Sequence, residues 1–181
     1  MEGAIWDRQP ANINTLRLPS DPGVYVFLLC NELKILNGKT FPAGQVLYVG
    51  KSKSLCGRML RQHLSEGGTG SSTFRRSLGA LLKSSEMLKA IPRGCEKNRI
   101  NITHYRFESE GEARLSAWIA ENLEVSTLVV RDYVERGKRE SGLIKDCEPL
   151  LNLQGWENPL RGYIESLRRE CRGEAERWEN G

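Results

Sequence analysis

The sequence has no long apolar stretch, few aromatic residues and only two histidines. Its longest hydrophobic runs, such as Val24 to Cys30, fall far short of the roughly 20 residues that a bilayer-spanning helix needs, so nothing in it reads as a membrane segment. The five cysteines, at positions 30, 56, 95, 147 and 171, are odd in number and contain no CxxC pair. That pattern argues against a structural zinc site and a disulfide framework, and for reduced thiols. Met1 to Asn12 carries acidic residues and lacks the basic-then-apolar order of a secretory signal, so a cytoplasmic location is expected. Internal repeats and low-complexity tracts are absent as well.

What is present is 181 residues of ordinary globular composition, enough for one domain with a core but short for two. The expected organisation is an irregular N-terminal lead-in over 1–16, a main domain over 17–154, and a helical C-terminal extension over 155–181 packing on the same domain. The net charge of +4 hides an uneven distribution. Residues 51–100 hold eleven Lys/Arg against three Asp/Glu, and the rest of the chain is net acidic. A basic middle segment suits a phosphate backbone, because each neutralised phosphate releases counterions; a solvated basic face would look the same.

Pro19-Ser20-Asp21-Pro22-Gly23 is a turn cluster that should launch a strand over Val24 to Leu29. Leu33 to Leu36 followed by Asn37-Gly38 suggests a hairpin excursion, and Val46 to Val49 the next strand, antiparallel to the first. Leu55 to Ser65 reads as a helix, the Gly67 to Ser72 stretch as a flexible loop, and Phe74 to Leu88 as a second helix. Asn101 to Phe107 alternates in the manner of a strand. Ser109 and Glu112 form a capping-box pattern ahead of a helix with Ala113, Trp118, Ile119 and Leu123 on its apolar stripe. Val125 to Val130 reads as a further strand and Val134 to Asp146 as a helix stopped before Pro149. Leu160, Ile164, Leu167 and Cys171 mark a final helix. The sum is an α/β (α+β) domain with a small, mainly antiparallel three-stranded sheet flanked by helices.

Four pieces then fall in one order: Gly23-Val24-Tyr25; Tyr48-Val49-Gly50-Lys51-Ser52-Lys53-Ser54-Leu55 running into Arg58; Glu140-Ser141-Gly142-Leu143-Ile144-Lys145; and Pro149-Leu150-Leu151-Asn152. Each is weak alone, but together, over residues 17–154, they resemble the GIY-YIG nuclease family. The resemblance implies a magnesium-dependent DNA endonuclease using one ion, with manganese as a substitute. Glu140 would be the metal ligand, a hard oxygen donor that leaves the remaining octahedral positions to water and phosphate. Arg58 would clamp phosphoryl oxygens as charge develops on them. Tyr25 is the expected base and Tyr48 its competitor. Lys51 would bind phosphate or tune a tyrosine, and Asn152 would hydrogen-bond near the site and hold the end of the Glu140 helix.

Two departures stand out. Many family members carry His or Tyr four residues after the arginine, where this chain has Gln62 followed by His63. Either Gln62 fills that place or a shift of the helix brings His63 in; with Arg61 they make a candidate secondary site. The 23 residues from Tyr25 to Tyr48 also exceed a tight hairpin, so 30–45 must be an elaborated one. That insertion and the stretch 66–100 are natural places for DNA contacts, with Lys53, Arg75 and Arg76 as the candidate DNA-binding cations. The expected role is a restriction or defence enzyme, nearly all nuclease domain, forming a homodimer if it cuts both strands. A structure-specific repair or recombination nuclease is the alternative, and a DNA-binding module that has lost hydrolysis is the third reading.

Overall fold

The computed structural model describes residues 11–12, 18–35 and 38–179. In chain order the strands and α-helices are β1 (Ala11–Asn12), β2 (Gly23–Leu29), β3 (Leu33–Lys34), β4 (Thr40–Phe41), β5 (Val46–Ser52), α1 (Leu55–Arg58), α2 (Thr73–Leu81), β6 (Ala90–Ile91), α3 (Arg99–Thr103), β7 (Arg106–Phe107), α4 (Ser109–Asn122), β8 (Leu123–Val129), α5 (Tyr133–Cys147) and α6 (Arg161–Arg177). They fall into two compact units. A sheet unit comprises Met1–Met59 and Ala120–Asn158, and a helical unit Leu60–Ile119 and Pro159–Gly181. The stretch 17–154 thus contributes to both, and α6 belongs to the helical unit.

The sheet unit is built on three seven-residue strands in antiparallel order β8-β2-β5, with the two-residue β1 on the outer edge of β8. β2 lies in the middle, which explains why it is apolar throughout instead of alternating: both faces are covered. Val24 and Val26 pack with Val49 and Leu143 of α5, joined by Leu28, Val46, Leu128, Val130, Ile144 and Cys147. Tyr25 and Phe27 project to the opposite face, fully buried.

A bulge governs which β5 side chains reach which face. Phe27 pairs with Tyr48 but Leu28 pairs with Val46, so Leu47 is the extra residue. The phase change lets Val46 join the Val49 cluster while Tyr48 shares a face with Tyr25, a re-aiming that bulges commonly provide. Within 30–45, β3 and β4 form the expected small ladder, and Gly38 adopts φ +81° at its turn. Leu36 and Asn37, also part of that expectation, lie outside the described residues, as do 1–10 and 13–16 of the lead-in.

The helical unit corrects several expectations. Asn101 to Phe107 is not a strand. Asn98 caps a short helix by accepting a hydrogen bond from Asn101 N (2.9 Å), and only Arg106–Phe107 stays extended, against β6. A single Asx cap outweighs weak alternation over so few residues. The supposed flexible loop is a buried 3₁₀ turn, Gly68–Ser71, entered through Gly67 at φ +76°. The second helix ends at Leu81; Ser85 Oγ donates to the Leu82 carbonyl (3.1 Å), a local alternative to further helical turns. The helix begun at Leu55 becomes a wider π turn over Met59–His63. Ser109 lies inside α4 and is not its cap, while Glu112 accepts from Phe107 N (3.0 Å). The last helix matches its stripe in part: Leu160, Ile164 and Cys171 are buried, with Ala175 completing the face and Leu167 half-buried.

Candidate active site

The motif glycines are needed for space. A Cβ on Gly50 would overlap the Tyr25 ring and hydroxyl and lie 3.0 Å from Tyr48 Cε1, so only glycine permits Tyr25 to lie across the opposing strand. The register places Tyr25 opposite Gly50, and the Tyr25 and Tyr48 rings come within 6.3 Å. A Cβ on Gly23 would likewise meet the Leu128 carbonyl and Leu55 Cδ1, where β2, β8 and α1 close together.

Arg58 is delivered by local hydrogen bonds. Leu55 N and Cys56 N donate to the Asp21 and Pro19 carbonyls (3.0 and 2.9 Å), pinning the start of α1 to the turn before β2. Ser54 Oγ caps the helix by accepting from Gly57 N (3.1 Å). One turn later Arg58 Nε donates to the Tyr25 hydroxyl (3.4 Å). Burial raises the Tyr25 pKa well above the ordinary phenol range, assisted by the fields of Tyr48 and Glu140, and Arg58 offsets this only in part. Tyr25, expected as the base, is therefore held in its neutral form by its own surroundings. Tyr48 is only half-buried.

Lys51 lies at the end of β5, on the face of Val49, and its Nζ meets Glu140 Oε2 of α5 at 2.7 Å. The Lys51 side chain is 42 % exposed and that of Glu140 20 %, so the pair stands where solvent reaches it. Gly137, one turn before Glu140, keeps that side of the helix low: a Cβ there would sit 3.9 Å from Lys51 Nζ.

Asn152 has a more definite task than its spacing suggested. Its Oδ1 accepts from Val49 N (2.8 Å) and its Nδ2 donates to the Val49 carbonyl (2.9 Å), so the side chain acts as a one-residue strand partner for β5. Leu150 N and Leu151 N continue the pairing to the Val46 and Leu47 carbonyls (3.2 and 2.8 Å). The helix end is made by Glu148, in left-handed conformation at φ +46° just before Pro149. Trp156 Nε1 and Asn158 Nδ2 both donate to the Asn152 carbonyl (each 3.0 Å) and hold this turn. Sequence reading missed these two supports; a tryptophan and an asparagine a few residues beyond a motif carry no distinctive spacing.

The structure thus brings Tyr25, Tyr48, Lys51, Arg58, Glu140 and Asn152 together within the sheet unit, and Lys53 is exposed near them in sequence. It does not support Arg75 and Arg76 as DNA contacts. Arg75 is completely buried, paired with Glu112 Oε2 (2.8 Å) and donating to Thr69 Oγ1, the His63 carbonyl and Ser116 Oγ. Arg76, also buried, donates to the Thr69 and Gly70 carbonyls. His63 is buried too, with Nδ1 2.8 Å from Ser72 Oγ and its ring edge-on to Phe74. It is a core residue of the helical unit. Gln62 is half-buried and Arg61 exposed in the same unit.

Among the described residues, no group of three His, Cys, Asp or Glu side chains could encage a metal. Glu140 is a hard oxygen donor of the kind that binds a hydrated divalent cation. Among the described residues, no helix is long and apolar enough to cross a membrane. No curated protein sequence and no solved structure matches the chain. The family described as GIY-YIG catalytic domain matches residues 23–172, nearly the whole span from β2 through most of α6. With both glycine–tyrosine motifs, the arginine and the glutamate gathered at one sheet, the chain belongs to the GIY-YIG nuclease family.

Proposed function

We propose that the chain is a magnesium-dependent DNA endonuclease that hydrolyses phosphodiester bonds at the Tyr25–Tyr48–Arg58–Glu140 site. The observation that carries the reading is the convergence of Arg58 on Tyr25 and of Lys51 on Glu140 within one unit. A cation bound at Glu140 would supply charge neutralisation at the scissile phosphate and stabilise the leaving oxygen.

The protein's own groups do the rest. Arg58, oriented by the Tyr25 hydroxyl, presents its planar guanidinium to a phosphoryl oxygen. Tyr25 stays protonated and acts as the post for Arg58. The role of drawing a proton from the attacking water then falls to Tyr48, the more accessible of the two phenols, whose ring lies 6.3 Å from that of Tyr25. Lys51, exchanging Glu140 for phosphate, would bind the substrate. Asn152 holds the Tyr48-Val49-Gly50 backbone in place.

For the biological role we propose a restriction or defence-type cut of duplex DNA. The support is that elaborated segments, 30–45 and most of the helical unit, lie inside the matched catalytic residues and offer surfaces for reading DNA. Incubation with supercoiled plasmid and Mg²⁺ tests the activity. Nicking or linearisation that disappears in Glu140→Ala is expected; no cleavage of any DNA, or full activity in that variant, would overturn it. A strong preference for flaps or junctions over plain duplex would replace the restriction role with a repair or recombination one.

A further inference from the structure

The large hydrophobic side chains left exposed are unevenly placed. Met87 and Ile100 belong to the helical unit, whereas Tyr133 and Val134 are neighbours at the start of α5, the helix that carries Glu140. Tyr133 is 70 % exposed, yet its ring is backed by the Arg136 guanidinium, whose Cζ lies 5.7 Å from the ring centroid. Arg136 is itself buried and fixed in place. Its Nη1 donates to the Val130 and Arg131 carbonyls (3.1 and 3.4 Å), and among the described residues no carboxylate forms an ion pair with it. A ring attracted to a fixed cation and otherwise open to solvent is a held aromatic surface.

The position of that surface ties it to the cutting site. At 100° per residue, positions 137 and 140 lie about 40° and 20° around the helix from position 133. Tyr133, Gly137 and Glu140 therefore follow one another along one side of α5, while Val134 is turned away from that line. Gly137 puts no side chain between the other two, and a Cβ there would sit 3.9 Å from Nζ of Lys51, the partner of Glu140. Seven residues of helix rise about 10 Å, the length of about three nucleotides of B-form strand. A strand whose scissile phosphate rests at Glu140 and Lys51 can thus run over Gly137 and bring a base to the Tyr133 ring.

We infer that Tyr133 is a stacking platform for an unpaired base of the DNA substrate, within about three nucleotides of the scissile phosphate, with Arg136 as its fixed support. The choice of DNA and the position relative to the cut rest on the nuclease reading. Charge complementarity favours the same occupant: Arg136 behind the ring and Lys51 beside Gly137 place positive charge along the path of a phosphate backbone. Stacking on an aromatic ring tolerates any base, so the platform selects substrates in which a base beside the cut leaves the helical stack, and not a particular sequence.

The test measures binding in EDTA by fluorescence anisotropy for the wild type, Tyr133→Phe, Tyr133→Leu and Val134→Ala. The probes are a labelled oligothymidylate and an abasic oligonucleotide of the same length and charge. The wild type, Tyr133→Phe and the control Val134→Ala should bind the oligothymidylate about ten-fold or more tightly than the abasic strand. Tyr133→Leu keeps apolar bulk without a π face and should lose that preference, while the salt dependence of binding stays, since no charge is removed. A wild type that binds both strands alike, or a Tyr133→Leu variant that keeps the preference, would overturn the platform. Tyr133→Ser repeats the measurement with no exposed apolar surface, should leucine lower the melting temperature. Nicking of supercoiled plasmid with Mg²⁺ by a wild type that lacks the preference would remove the platform and leave the nuclease reading intact. The preference without cleavage of any DNA would support the platform and overturn the nuclease reading.

Discussion

Lys51 and Glu140 meet at 2.7 Å, Arg75 and Glu112 at 2.8 Å, yet the two ion pairs have opposite characters. The first is partly open to water and joins two side chains that have little else to hold them. The second is sealed, 0 % and 2 % exposed, and saturated: the Glu112 carboxylate also accepts from Thr69 Oγ1 and Phe107 N, while Arg75 has four acceptors besides the carboxylate. Burial lowers the Arg75 pKa, and the Glu112 carboxylate works against that. A saturated buried pair has no capacity left for a ligand, whereas an open one can exchange partners. Removal of each acid separates the two roles.

Glu140→Ala should produce the largest change in activity and almost none in stability. Loss of the single acidic ligand is expected to reduce plasmid cleavage by about 10³-fold or more, in line with the removal of a principal electrostatic group. An exposed pair contributes about 0–1 kcal/mol, so the melting temperature should barely move. A large drop in Tm with activity retained would invert the comparison.

Glu112→Ala should do the reverse. It leaves the Arg75 guanidinium buried without its counter-charge and Phe107 N without an acceptor, at a cost of about 3–5 kcal/mol read by urea unfolding. Glu112→Gln keeps the shape and some hydrogen bonds and should cost less. If Glu112→Ala were neutral in stability and lost DNA binding instead, Arg75 would have to be restored as a DNA contact.

The unequal legibility of these regions in the sequence has the same physical origin. The sheet unit was readable because β2 is a continuous apolar strand and β5 opens on the apolar run Val46 to Val49, and because Gly23, Tyr25, Tyr48, Gly50, Arg58, Glu140 and Asn152 fall in the order and spacing of the GIY-YIG family. The helical unit was not, because its organising groups pair across large separations: Arg75 with Glu112, Tyr105 with the Arg76 carbonyl, Glu174 with Ala90 N. Arg75 and Arg76 looked like surface cations because arginine is rarely buried unless paired, and nothing local announces the partner. The Asn101–Phe107 alternation misled for a similar reason, since one cap residue, Asn98, decided the conformation.

Two smaller changes sharpen the comparison inside the sheet unit. Gly50→Ala forces a methyl against Tyr25, so repacking should cost about 1–3 kcal/mol and displace Arg58, with cleavage falling more than stability alone explains. Asn152→Ala leaves Val49 N and its carbonyl without their partner, about 1–3 kcal/mol, and loosens the strand that carries Tyr48. Asn152→Asp should retain the bond from Val49 N but lose the donor to the carbonyl, and fall between alanine and wild type in both readings.

The smallest expected effect concerns protons. Burial raises the Tyr25 pKa in the sheet unit, and in the helical unit it raises that of Tyr105 and pushes the Cys171 thiol up to about 11 from 9.0. Each of these groups is neutral when protonated, so a raised folded-state pKa means that the folded chain holds the proton more firmly than the unfolded one. Their contribution is complete below the unfolded values, near 9 for the thiol, and is lost as pH rises through the folded values. The melting temperature should therefore decline above about pH 9, by about 2–4 °C for each kcal/mol lost. Cys171→Ala should flatten the first part of that decline and leave the later, tyrosine-driven part. Tyr48→Phe, which alters a half-buried phenol, should leave the stability curve in place while abolishing most plasmid cleavage; loss of cleavage in Tyr25→Phe, with Tyr48→Phe unaffected, would return the base role to Tyr25.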